Sequence, residues 1–274
     1  MTPEAERWVA EYVHPAGPVE LVHERPWSTV YRVPVADGAV WFKVCNEVQA
    51  FEPRLSAELF GRWPDLVGEV LAYDEARGWL LLADAGERIG AASEPWLELL
   101  PRYAELQRGE ARHAEEQLAK GVPDLTLGTL PVRYADLLER HLPVELRPLE
   151  EVERLCAELA AAGLPATIQH DDLHRNNVYQ RDGRLRLLDW WDSSISHPFF
   201  SLVVTFRFAG ESSKLKEAYL EPWGPDLDEA LELALRVGAV AHALAWSRQR
   251  DFLSPAERPA FDAPFAEVLR SAVR

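Results

Sequence analysis

Cysteine, lysine and asparagine are scarce in this chain, and each scarcity excludes or narrows something. Two cysteines stand in 274 residues, Cys45 and Cys156, both in apolar surroundings and without metal-ligand spacing. A disulfide framework and a thiolate zinc site are therefore not expected, and both read as buried free thiols of a reducing compartment. No apolar run is long enough to span a membrane, and the N-terminus has neither a basic nor an apolar leader-like region, so a cytoplasmic location is the expectation. Positive charge is in short supply. Lys and Arg total 29 against 45 Asp and Glu, and the formal charge of −16 argues against general affinity for nucleic acid or anionic membranes. The same excess favours cationic small molecules. Lysine occurs only at positions 43, 120, 214 and 216, and arginine carries most of the basic charge.

What is present suits a soluble globular protein: 47% hydrophobic and 27% charged residues, enough chain for one large core or two lobes, and no repeat or low-complexity tract. Asparagine occurs only at 46, 176 and 177, so a chain that avoids it places two together. They fall in the most polar stretch, where His170, Asp172, His174 and Asn177 lie within eight residues. Asp182-Gly183 is a hairpin turn signal, and Leu185 and Leu187 alternate with Arg184 and Arg186 up to Asp189. The hairpin brings the polar loop and the strand-end carboxylate close together. An Asp, an Asn five positions on and a second Asp beyond a hairpin suit phosphoryl transfer, which needs an orienter or base for the attacking hydroxyl and oxygen ligands for Mg²⁺.

Read in order, Thr2-Pro3-Glu4 opens a short helix that ends near His14-Pro15. Strands are expected at Val19–Glu24, Thr29–Val35 and Ala39–Val44, with Asp37-Gly38 turning the last two. Lys43 sits in the apolar alternation of the third strand, where an inward ammonium is costly unless paired or facing a ligand. Trp41 shares its face by period-two alternation. Residues 50–62 read as a helix with Phe51, Leu55 and Leu59 on one stripe. Val67–Tyr73 and Gly78–Ala83 are strand-like. A long helix capped at Ser93-Glu94-Pro95 is expected to reach about Lys120, followed by a loop over Pro123–Leu130 and helices over Arg133–His141 and Leu149–Ala162. Phe199–Ala209, Asp226–Arg250 and Ala256–Val273 also read as helices.

The motif His170-Asp171-Asp172-Leu173-His174-Arg175-Asn176-Asn177, followed by Leu188-Asp189-Trp190, resembles the catalytic segment of the aminoglycoside phosphotransferase and choline kinase families, relatives of protein kinases. Asp171 stands where that pattern carries glycine. Downstream, His197-Pro198 and Ser201-Leu202 stand where it commonly has Asp-Pro and Asp-Leu. The resemblance implies an α+β, bilobal protein-kinase-like fold, with a small antiparallel-sheet N-lobe over residues 1–84 that binds nucleotide. A mainly helical C-lobe over 85–274 would carry the catalytic loop and acceptor site. It implies ATP or GTP with Mg²⁺, Asp172 as catalytic Asp, and Asn177 and Asp189 as metal ligands. Lys43 would orient the phosphates with Glu52 as its preferred partner and Glu58 as the alternative. Trp41 would stack on the base or pack in the core. Ser28 and Thr29 would lie in the turn over the phosphates, which lacks the glycines of a protein kinase loop, and the backbone of Ala83 and Ala85 would meet the adenine edge. His170 and His174 would brace the loop.

These expectations amount to an ATP-dependent phosphotransferase acting on an alcohol group of a small-molecule acceptor: aminoglycoside-like, amino-alcohol or sugar. Acidic residues between Asp192 and Glu232 suit a cationic acceptor, and Trp190, Trp191, Trp223 and Trp246 a quaternary ammonium. Two alternatives stand beside this one. The first is a nucleotide-binding regulator without transferase activity, supported by Asp171 and Ser201. The second is a metal hydrolase using His170, Asp171 and His174.

Overall fold

The structure is a computed structural model, and it describes residues 1–92, 94–140 and 145–272. The fold is bilobal and α+β, with a small antiparallel N-terminal sheet and a helical C-lobe. The chain divides into two compact units, one of residues 1–90 with 176–191, the other of 91–175 with 192–274.

The first unit begins with α1 (Pro3–Tyr12), where the Thr2 hydroxyl accepts the Ala5 amide at 3.2 Å and proline occupies the first turn. Strands β1 (Glu20–Glu24), β2 (Ser28–Val35) and β3 (Gly38–Cys45) follow, then α2 (Glu52–Arg62), β4 (Val70–Asp74), β5 (Trp79–Ala83) and the short β6 (Glu87–Arg88). The sheet order is β1-β2-β3-β5-β4, all antiparallel. One face packs Val33, Val40, Phe42, Ala72 and Leu81 against Trp8 and Val9 of α1. By alternation the other face of β3 presents Trp41, Lys43 and Cys45.

Further along the chain, β8 (Val178–Arg181) and β9 (Arg184–Leu187) complete this unit by pairing in the order β6-β8-β9. Asp182 and Gly183 both have positive φ, 50° and 76°, the type I′ requirement that Asp-Gly meets most cheaply. Gly86 allows the approach of the preceding segment to β8. Its φ is +91°, and an added Cβ would lie 2.3 Å from the Gln180 carbonyl oxygen.

The second unit contains α3 (Glu94–Glu110), α4 (Ala114–Ala119), α5 (Leu130–Leu138), α6 (Leu149–Ala160), β7 (Thr167–Gln169), β10 (Ser194–Ser196), α7 (Leu202–Ala209), α8 (Ser213–Leu220), α9 (Asp228–Phe252) and α10 (Arg258–Ser271). β7 and β10 pair antiparallel, with Gln169 opposite Ser194. Its core includes Tyr103, Tyr134, Tyr219, Phe199, Phe200 and Phe265, all essentially without exposure.

Several sequence expectations shift. The helix expected to run unbroken to Lys120 is interrupted by a 3₁₀ turn at Ala111–His113, just after Gly109, a poor helix former. α5 starts at Leu130 rather than Arg133, because Pro131 is accommodated in its first turn. α8 is an addition to the expected elements, and Ser212 caps it by accepting the Leu215 amide at 3.3 Å. Ser93, His141 and Val273 lie outside the described residues, and with them the cap and the two helix ends expected there. Among the described residues, no helix is long and apolar enough to cross a membrane.

Candidate active site

In the first unit the chemistry gathers around Lys43. Strand alternation turns its side chain away from the α1 face, and the first turn of α2 places Glu52 against it. The Lys43 Nζ lies 2.8 Å from Glu52 Oε1, 2.7 Å from Oε2, and 2.6 Å from Asp189 Oδ1. Burial alone lowers an ammonium's pKa, but here the Asp189 and Glu52 carboxylates outweigh it and hold Lys43 well above its ordinary value, so it stays charged. Burial pushes the Glu52 carboxyl up, Lys43 pulls it back, and the Asp189 charge pushes it up again. The Cys45 thiol donates to Glu52 Oε2 at 3.3 Å, and burial beside the Glu52 charge keeps it protonated. Glu58 is engaged elsewhere, 4.0 Å from both Arg54 and Arg62.

Asn177 and Asp189 stand at one end of the β8–β9 hairpin. Val178 opposite Leu187 puts residues 177 and 188 side by side, and the Leu188 amide donates to the Asn177 carbonyl at 3.0 Å. Asn177 is buried and the Asp189 side chain is 40% exposed. Asp189 has φ 70°, a left-handed conformation that Asp tolerates better than most residues. An amide oxygen and a carboxylate are the hard donors that Mg²⁺ takes, usually with waters and phosphate oxygens making up the rest, so the pair fits that ion.

The turn between β1 and β2 is closed by reciprocal Arg25–Ser28 main-chain bonds of 2.8 and 3.2 Å. Ser28 is buried opposite Cys45, and Thr29 is half-buried opposite Val44. Asn46 holds this turn: its amide donates to the Trp27 carbonyl at 3.0 Å, and its side chain to the Pro26 carbonyl at 3.0 Å. Trp27 stacks on Trp191, with centroids 5.6 Å apart and planes 11° from parallel. Sequence reasoning missed Asn46, although the rarity of asparagine that singled out positions 176 and 177 applies equally to it. At the end of β5 the Ala83 amide donates to the Glu69 carbonyl at 3.0 Å, so its hydrogen is committed within the sheet. Ala85 is buried.

The second unit carries residues 170–175 of the polar motif, which follow β7. The buried His170 amide donates to Tyr103 Oη at 3.1 Å and Ser201 Oγ at 3.3 Å. Ser201 in turn donates from Oγ to Gln169 Oε1 at 2.6 Å and lies 2.6 Å from Tyr103 Oη. A neutral hydroxyl thus supports the loop at the position where the resembled pattern commonly has a carboxylate. Asp171 has φ 55°, and its buried carboxylate accepts Ser194 Oγ at 2.7 Å. Burial raises its carboxyl to about 6, against the opposing Ser194 bond and the Arg248 charge. Asp172 is partly exposed; its carbonyl accepts the His174 amide at 2.9 Å and its Oδ1 lies 3.6 Å from His174 Nε2. His174 packs edge-on against Phe208, and Thr205 Oγ1 donates to the Leu173 carbonyl at 2.9 Å. Buried Asp192 accepts the Gln249 side chain at 2.6 Å. Among the described residues, no three His, Cys, Asp or Glu side chains are gathered to hold a metal.

Residues 61–233 match the phosphotransferase enzyme family. No curated protein matches the chain. Among solved structures, the choline kinase LicA of Streptococcus pneumoniae has a TM-score of 0.65 at 16% identity, covering 98% of this chain and 99% of its own. Macrolide 2'-phosphotransferase MphH of Brachybacterium faecium has 0.63 at 19% identity, covering 97% of each chain. A fructosamine-3-kinase homologue of Thermobifida fusca has 0.59 at 18% identity over the full length of both. At these identities the likeness is one of fold.

Proposed function

Because this chain belongs to the phosphotransferase enzyme family, we propose that it is a small-molecule kinase transferring the γ-phosphate of ATP or GTP to an acceptor hydroxyl. The observation that carries this reading is the buried Lys43 ammonium held between Glu52 and Asp189 at 2.6–2.8 Å. A lysine so fixed, on a strand of a chain with only four, is a preorganised cation for phosphate oxygens. Glu52 sets its direction and the Cys45 thiol satisfies the second Glu52 oxygen.

Asn177 and Asp189 would hold Mg²⁺, which when bound offsets phosphate charge. Lys43 orients the phosphates. The turn at Ser28 and Thr29, pinned by Asn46, covers them. Trp41 supplies an aromatic face for the base, and an adenine contact at Ala83 falls to its carbonyl, with Ala85 beside it. Asp172 accepts the hydrogen bond of the acceptor hydroxyl and steers its oxygen in line; as the new P–O bond forms and the bond to the leaving diphosphate breaks, Asp172 takes the proton.

Aminoglycoside-like, amino-alcohol and sugar acceptors all fit an orienting carboxylate, and the acidic charge of the chain favours those bearing an amine. The test is a phosphorylation screen of aminoglycosides, choline-like amines and sugars with ATP and with GTP, run on the parent and on Asp172→Asn. Acceptor-dependent transfer lost in the variant supports the kinase. Nucleotide binding with no acceptor-dependent transfer favours the regulatory alternative.

A further inference from the structure

The mechanism above leaves one buried charged group unused. Asp171 immediately precedes Asp172, is 4% exposed, and holds a positive φ that glycine adopts freely and other residues adopt at a cost. Such a residue persists only where its surroundings hold it, and here they do so from two elements. On β10, Ser194 Oγ donates to the carboxylate at 2.7 Å. From α9, the Arg248 charge acts on the carboxylate and favours its ionised form. Burial first, with help from the Arg207 charge, holds the His242 imidazole, also on α9, down to about 3. Arg248 also feels the charge of Asp192, which Gln249 binds at 2.6 Å. The Asp171 side chain is thus tied to β10, next to the residue assigned to the acceptor hydroxyl.

We propose that Asp171 is a positioning residue: its carboxylate, bound by Ser194, locks the left-handed turn from which Asp172 is presented to the acceptor. The functional part rests on the kinase reading of Asp172; the structural part does not. It makes Asp171 a working part of the loop rather than a sign of lost activity, contrary to the regulatory alternative.

Three variants of the full chain separate carboxylate from backbone. Asp171→Gly accepts the turn without strain but removes the tether. Asp171→Asn tolerates the same φ and keeps an oxygen for Ser194. Ser194→Ala removes the tether from the other side. The measurements are hydrogen exchange of the peptide spanning 168–176, calorimetric binding of Mg-ATP, and transfer kinetics with any acceptor from the screen. Exchange should accelerate about tenfold or more in the Gly and Ala variants and stay near the parent in Asn. Transfer kcat should fall by about tenfold or more in the same two, with nucleotide affinity and KM unchanged and Asn largely rescuing. Parent-like exchange in Asp171→Gly, or accelerated exchange with unchanged kcat, overturns the proposal. If Asp172→Asn transfers at the parent rate, the kinase reading fails, and loop exchange alone decides whether Asp171 braces the turn. Should the Gly variant not fold, Ser194→Ala carries the same comparison.

Discussion

The Lys43 cluster and the Asp172 loop solve the same problem, holding a charged group still, in opposite ways. Around Lys43 opposite charges meet directly: one ammonium between two carboxylates, all within 2.8 Å. Around the loop most of the support is neutral: Tyr103, Ser201 and Gln169 secure His170, Thr205 secures Leu173, and Ser194 secures Asp171. The first arrangement keeps its cation charged at any ordinary pH. The second leaves a buried carboxyl raised to about 6, within reach of mild acid. On the kinase reading proposed above, a donor site for polyanionic phosphate gains from fixed charge, whereas a loop presenting a carboxylate to a hydroxyl gains from shape.

On the kinase reading, the sharpest way to break this contrast is at Asp172. Asp172→Asn should lower transfer by roughly 10²–10⁴-fold while leaving Mg-nucleotide affinity intact, as single-turnover kinetics and calorimetry would show. Glu52→Ala should cost about 3 kcal/mol in urea unfolding, because it leaves Lys43 buried with one partner fewer. Were it neutral, the cluster would not depend on paired charge.

The loop should answer to pH instead. The folded Asp171 carboxyl, near 6, binds its proton more tightly than the unfolded chain at 3.8. The stability it contributes is therefore complete below about pH 4 and lost as pH rises through 6, a change of ~3 kcal/mol. Unfolding midpoints across that window should flatten in Asp171→Asn relative to the parent; an identical slope would remove Asp171 as the titrating group. The smallest effect expected is at the base: Trp41→Ala should weaken ATP by roughly 1–3 kcal/mol, read by titration calorimetry, and unchanged affinity would return Trp41 to packing alone.

The two regions also differ in how far they were legible in the sequence. Lys43 was visible because period two assigns it a face and because lysine is rare; Glu52 came with the family resemblance, preferred over Glu58 because Glu58 leaves little helix before Trp63-Pro64. The β8–β9 hairpin followed from Asp182-Gly183. The loop's supports were not visible in this way. Tyr103, Ser194, Ser201 and Arg248 lie tens of residues away on elements whose register no local pattern sets, and Ser194 sits on a three-residue strand too short to announce itself. Ser201 was noticed only for the carboxylate it lacks, while its hydroxyl bonds to Gln169 and His170 became apparent only with tertiary structure. Asn46 was missed for a different reason: its rarity was noted, but its contacts run back across the β2–β3 pair to a turn some twenty residues earlier.

The β8–β9 hairpin has a consequence for how the protein is made. The unit that holds Lys43 is discontinuous, closed by residues 176–191 only after the intervening 91–175. On a ribosome moving at about 5–20 residues per second, β6 waits on the order of ten seconds for its sheet partner, and Lys43 and Glu52 wait as long for Asp189. During that interval the nascent chain carries a half-built Lys43 cluster with one carboxylate missing. Its final form is therefore set late in synthesis, and a fragment ending at residue 90 would reproduce the early state rather than the finished lobe.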